Sequence, residues 1–194
     1  PPYSGGTVTL DGVDISTLQA KELRRVVAVV PQEPTMFPWN LKENIGAEFA
    51  DSEVLVALER SGLDPRQLTD NPDLLGALRS NIKQGITVGQ QQLIMTARAL
   101  VRRPKVLILD ECTASLDRDM ADRLLGVVMS HTEDCTVLSI AHRLRFVLKS
   151  DRILVLGHRG TVLDFDTPAK LMEDREGYFA KNLQLEQLED GYWT

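Results

Sequence analysis

The stretch Val106-Leu107-Ile108-Leu109-Asp110-Glu111 constrains this chain more than any other. Four consecutive apolar residues read as a short strand covered on both faces, as in a parallel sheet with helices on each side. Two carboxylates follow at once, at the end of the strand where open α/β sheets bind their ligands. Grouping two charges there is costly unless a cation or a reaction uses them. The competing explanation is a strand that stops at an ordinary acidic turn, and these six residues weigh evenly between the two.

Other strand ends tip that balance. Val26 to Val30 is a second apolar run, stopped by Pro31, and Gln32 follows directly. Thr136 to Ile140 is a third run, expected to be buried, with His142 just past its end. In a parallel sheet Gln32, Asp110-Glu111 and His142 would lie along one edge. An amide, two acids and an imidazole suit Mg²⁺, an attacking water and a terminal phosphate. A lone Gln or His after a strand is ordinary surface. Three such ends together are not.

Between the first two runs the chain is helical in pattern. Residues 41–79 read as short helices broken by Gly46, Gly62, Pro65 and Pro72, with Val54, Leu55, Ala57 and Leu58 forming one apolar stripe. A loop through Gly85 and Gly89 leads into a helix from about Gln90 to Val101, whose expected buried face is Leu93, Ile94, Ala97, Leu100 and Val101. Another helix is expected from Asp117 to about His131. Asp11-Gly12 marks a hairpin turn, and Ser16 is placed to cap a helix through Leu23. Residues 152–163 read as a hairpin around Gly157 to Arg159. Thr167-Pro168 starts a helix that Gly177 is expected to end. The tail from Tyr178 reads as polar and mostly helical, with Tyr192-Trp193 exposed.

Composition removes several classes. The 194 residues suffice for one domain with a sizeable core, and a net charge of −6 argues against nucleic acid as an electrostatic partner. The two cysteines, Cys112 and Cys135, form no metal-ligand spacing and no disulfide framework. Cys112 reads as a small buried filler rather than a nucleophile. No apolar run approaches the roughly 20 residues that span a bilayer.

These residues resemble the ATP-binding domain of ABC transporters. Val30 to Pro34 looks like the Q-loop, and Ile86-Thr87-Val88-Gly89-Gln90 resembles the signature motif. Val106 to Glu111 resembles Walker B, Ala114-Ser115-Leu116-Asp117 the D-loop, and Ile140 to Leu144 the H-loop. The resemblance implies an α/β P-loop NTPase fold of RecA-like type, a mostly parallel sheet flanked by helices. Residues 1–32 and 104–194 would form the core, and 33–103 the Q-loop and helical signature subdomain. Asp110 and Gln32 would support Mg²⁺, Glu111 would polarise the attacking water, and His142 would hold the γ-phosphate. The signature, Ile86 to Gln90, would bind ATP held by a second nucleotide-binding domain, with Ser115 and Asp117 at that dimer interface. Transmembrane domains would be the other partner, with Phe37-Pro38-Trp39 as a candidate docking surface or as ordinary packing in equal measure. The implied location is the cytoplasmic face of a membrane, and the implied work is ATP hydrolysis driving transport, export above all.

Two departures qualify the resemblance. No G-x-x-x-x-G-K-[S/T] occurs, so the phosphate cradle is absent from this sequence. In the family that loop precedes the position of Ser4, so truncation is expected, with weak ATP binding by this stretch alone. The alternative is a degenerate regulatory domain that binds nucleotide without hydrolysis. The signature also carries Thr87-Val88 where Ser-Gly is common. That resembles the second nucleotide-binding domain of the multidrug-resistance-associated (C) subfamily.

Overall fold

A computed structural model describes residues 5–191 other than 115, 133 and 142. Ser4, Ser115, His142 and Tyr192-Trp193 therefore lie outside the described residues. The chain falls into two compact units, Pro1–Leu138 and Ser139–Thr194.

The first unit opens with a hairpin, β1 (Thr9–Leu10) and β2 (Val13–Asp14). Its turn places Asp11 at φ 49° and Gly12 at φ 80°. Two successive left-handed residues match the right-handed twist of the strands, which is why Asp-Gly serves here. Ser16 does not cap a helix. Its N–H donates to the Asp14 carboxylate at 2.8 Å, which spends the local cap on a single 3₁₀ turn, Ile15–Thr17. Helix α1 (Ala20–Val26) starts later, where the Gln19 N–H donates to Glu22 at 2.9 Å.

Strand β3 (Val27–Val30) follows without a break. Four short helices come next: α2 (Leu41–Ile45), α3 (Asp51–Arg60), α4 (Pro65–Leu68) and α5 (Leu74–Leu78). Their start residues explain their brevity, since Asn40, Asp64 and Asp73 each accept a first-turn N–H and so fix a new start. Asp51 ties three of them together. Its carboxylate receives Lys42 Nζ at 2.5 Å and Arg79 Nη2 at 2.6 Å.

Helix α6 (Val88–Leu100) begins two residues before the sequence pattern suggests, because Thr87 is its cap. It is buried on nearly every side: Gln92, Met95, Thr96 and Ala99 are covered along with the apolar face expected from the pattern. It packs on β3, α2, α3 and α7, where α7 is Arg118–His131. Strand β4 (Val106–Asp110) pairs in parallel with β3, Val30 opposite Leu109. Strand β5 (Thr136–Ile140) completes the order β3-β4-β5 and contains the boundary between the units. An α/β architecture with a parallel sheet is thus present.

Burial corrects two expectations. Of β4, Val106, Leu107 and Leu109 are buried, but Val29 of β3 is exposed. The strand at Thr136–Ile140 exists, yet Leu138 and Ile140 are exposed, so it is not a buried strand. It is an end strand of the sheet, and apolar sequence declares a wish for cover without supplying it.

In the second unit, β6 (Ile153–Leu156) and β7 (Val162–Asp166) form an antiparallel hairpin. Ile153 and Val155 point to a core with Leu171, Phe179 and Leu183, beside Leu144, Val147 and Leu148. Leu144 and Val147 come from α8 (Leu144–Val147), which Leu148 follows, Leu171 from α9 (Pro168–Glu173), and Phe179 and Leu183 from α10 (Tyr178–Gly191). Helix α9 ends at Glu173, four residues before Gly177, which instead sits directly before α10.

Candidate functional site

The parallel register decides where the site forms. With Val30 level with Leu109, Gln32 and Asp110 leave β3 and β4 at the same end. Both are exposed, and Glu111 beside them is half-buried. Glu111 adopts φ 46°, a left-handed conformation uncommon for a residue with a Cβ. Such conformations cluster where the chain aims a functional side chain. The turn is held by the Ala114 N–H, which donates to Glu111 O at 2.9 Å.

Cys112 follows at once and is buried, and burial pushes its thiol up to about 11. At neutral pH it is a protonated filler, as expected, because the thiolate alone is the nucleophile.

Asp110 and Gln32 offer a carboxylate and an amide oxygen at one strand end. Mg²⁺ takes one or two protein oxygens and completes its octahedron with waters and substrate phosphates. The donor set fits that ion. A site built from three or more His, Cys, Asp or Glu side chains does not occur among the described residues, and this chemistry does not call for one.

The second group of residues stands at the start of α6. Ile86 is half-buried, Thr87 and Val88 are exposed, Gly89 is buried and Gln90 half-buried. Thr87 Oγ1 accepts the Gln90 N–H at 3.1 Å, and Gln90 Oε1 accepts the Thr87 N–H at 2.9 Å. This reciprocal cap uses a lone pair of Thr87 and leaves its O–H able to donate. The N–H groups of Val88 and Gly89 are those that a helix leaves without an internal acceptor. A donor cluster of that kind receives an anion.

Gly89 has a further reason to be glycine. A Cβ built on it would stand 3.0 Å from Cγ of Met120. Met120 lies in the first turn of α7, which Asp117 caps by accepting the Met120 N–H at 2.9 Å. So Asp117 already has a structural task, and the starts of α6 and α7 are packed together.

Three residues in this region escape the sequence pattern. Gln92 is fully buried and its Nε2 donates to Pro31 O at 2.6 Å. Asn44 is buried, accepts the Phe37 N–H at 2.9 Å, and donates to Phe37, Trp39 and Asn40 carbonyls, each at 3.1 Å. Arg98 Nε donates to Asn44 O at 2.5 Å. Burial holds the Arg98 guanidinium below its ordinary pKa, with Arg102 adding to it. A polar residue on a helix otherwise buried in apolar company was the available sign for Gln92.

Phe37 and Trp39 stack with ring centroids 4.4 Å apart, and both remain exposed. Among the described residues, no helix is long and apolar enough to cross a membrane.

The family described as ABC transporter matches residues 1–114. ABC transporter C family member 5 of Arabidopsis thaliana is 37% identical over 180 residues, 92% of this chain and 12% of that protein. ABC transporter C family member 13 of Oryza sativa subsp. indica is 38% identical over 178 residues, 91% of this chain and 12% of its own length. Multidrug resistance protein mrp-7 of Caenorhabditis elegans is 37% identical over 180 residues, again 92% of this chain and 12% of the relative. The chain thus spans 12% of the length of the relatives it matches.

Proposed function

The chain belongs to the ABC transporter family, and from that premise we propose that it is the ATP-hydrolysing module of a membrane transporter. The observation that carries this reading is the parallel register of β3 and β4, which brings Gln32 and Asp110 to one strand end beside Glu111. Asp110 and Gln32 hold Mg²⁺, which when bound offsets charge on the phosphates of ATP. Glu111 accepts a hydrogen bond from the attacking water and draws its proton as general base. His142 takes the family's role at the γ-phosphate.

The N-terminus of α6 serves ATP held by a second nucleotide-binding domain, through the Thr87 hydroxyl and the N–H groups of Val88 and Gly89. Ser115 and Asp117 belong to that same interface, with Ile86 and Gln90 shaping the donor cluster. Residues 33–103 act as the helical signature subdomain, and Phe37 and Trp39 face transmembrane domains at the cytoplasmic side of the membrane. Export of small molecules or conjugates is the transport we assign, by likeness to the C family relatives.

Val88 stands where the common signature has glycine, and a β-branched side chain there narrows the approach to phosphate. The full-length protein then has one fast and one slow ATP site. Glu111→Gln keeps the size and removes the base, so phosphate release by the full-length protein should fall by about 10²-fold or more. Turnover equal to that of the unsubstituted protein would refute the assignment.

A further inference from the structure

We propose that Gln92 and Arg98, both on α6, are positioning residues that clamp the two ends of segment 31–44 and so set the placement of Gln32 from the signature helix. The proposal rests on the ATPase reading above and deepens it.

The first clamp acts on one peptide plane. Gln92 Nε2 donates to Pro31 O at 2.6 Å. A peptide bond is planar, so the Pro31 carbonyl and the Gln32 N–H belong to one rigid unit. Holding that oxygen fixes the direction in which Gln32 leaves β3. Pro31 has a locked φ and adds stiffness on the other side.

A fully buried Gln is a poor choice for packing alone. A carbonyl can be matched only by the amide nitrogen, so Oε1 turns away. That oxygen is buried and has no hydrogen-bond partner among the described residues. Met or Leu would fill the space without an unmatched acceptor, as Leu93, Ile94 and Met95 do beside it. The position carries the cost of an amide and gains the grip on Pro31.

The second clamp lies about 9 Å further along the helix axis, at six residues of 1.5 Å rise. Arg98 Nε donates to Asn44 O at 2.5 Å, Nη1 to Thr35 O at 3.3 Å, and Nη2 to Asn44 Oδ1 at 3.4 Å. Its guanidinium carbon also sits 5.4 Å from the Phe37 ring centroid. Asn44 in turn holds Phe37 at both its N–H and its carbonyl. The segment between the clamps is therefore fixed to α6 at its start and at its far end. A displacement of the α6 N-terminus, where Thr87 and Val88 are exposed, is passed to Gln32 and to the Phe37–Trp39 pair together.

The test uses the full-length protein and reads, against Mg²⁺ concentration, both ATP turnover and equilibrium ATP binding without turnover. Gln92→Met keeps the volume and loses the donor. Half-saturating Mg²⁺ should rise about tenfold, while KM for ATP at saturating Mg²⁺ moves by less than about twofold. Arg98→Lys keeps the charge and loses the fork, and should shift the Mg²⁺ curve the same way by a smaller factor. The two effects should combine non-additively, since both act on one segment. If Gln92→Met does not yield folded protein, Gln92→Asn, one methylene too short to reach Pro31, is read in the same assay. A folded variant with an unchanged Mg²⁺ curve and normal turnover would overturn the clamp and leave the ATPase reading standing. Absence of ATPase in the unsubstituted protein would overturn that reading and the clamp with it.

Discussion

The helical region around α6 and the sheet β3-β4-β5 are both rich in apolar residues, yet they end up very differently covered. Leu41, Leu58, Leu68, Leu93 and Ile94 in the helices are essentially inaccessible. Val29, Leu138 and Ile140 in the sheet are each more than half exposed. The helices also settle their polar groups locally, through Asn44, Asp51 and Arg98. The sheet presents the Asp110 carboxylate outward at the end of β4, with Glu111 half-buried beside it. One region is closed and serves as a frame, and the other is open, with polar residues at its strand ends.

A pair of truncations can break that contrast, and it has the largest expected effect. Leu93→Ala removes a fully covered side chain and should cost about 2–5 kcal/mol of stability. Val29→Ala, at a site 52% exposed, should cost under about 1 kcal/mol. Urea denaturation of the purified protein measures both. Comparable losses would mean that the sheet face is covered in the working protein, and the contrast would then belong to this stretch of chain alone.

A smaller effect sharpens the account of the frame. Asn44→Ala removes an acceptor for the Phe37 N–H and a donor shared by three carbonyls. Losing these part-buried hydrogen bonds should cost about 1 kcal/mol. Because Trp39 stacks on Phe37, its fluorescence should shift in the folded variant. A stable Asn44→Ala with unchanged Trp39 emission would show that the loop holds its form without this residue.

These residues also show where sequence reading stops. The acids at the end of β4 were legible because run and charge are adjacent in the chain, and so was the Asp11-Gly12 turn. Cys112 was legible as a filler because nothing beside it in the sequence would activate a thiol. Gln92 and Arg98 were not, because their partners Pro31, Thr35 and Asn44 are 54 to 63 positions away. No local period encodes a contact at that range. The start of α1 was misplaced by a local contest, in which the Asp14 carboxylate took the Ser16 N–H. The exposure of β5 was hidden in yet another way, since strand propensity states what a segment can become and not which neighbour will cover it.

The smallest effect concerns charge within the frame. Asp51 is held below its ordinary value of 3.8, first by its hydrogen bond to Lys42 and next by that to Arg79. A carboxyl with a depressed folded-state pKa stabilises the fold fully above its unfolded value. That contribution fades as pH falls through 3.8 towards the lower folded value, because the unfolded chain then binds the proton first. Asp51→Asn should therefore be less stable than the unsubstituted protein near neutrality, and the two should converge in acid. The gap is small because Arg79 is largely exposed and water screens the pair. Denaturation midpoints of both proteins across acidic and neutral pH read this directly. A gap that stays constant with pH would show that Asp51 joins α2 to α5 by shape and hydrogen bonding rather than by charge, and the frame would then be as indifferent to acid as an apolar core.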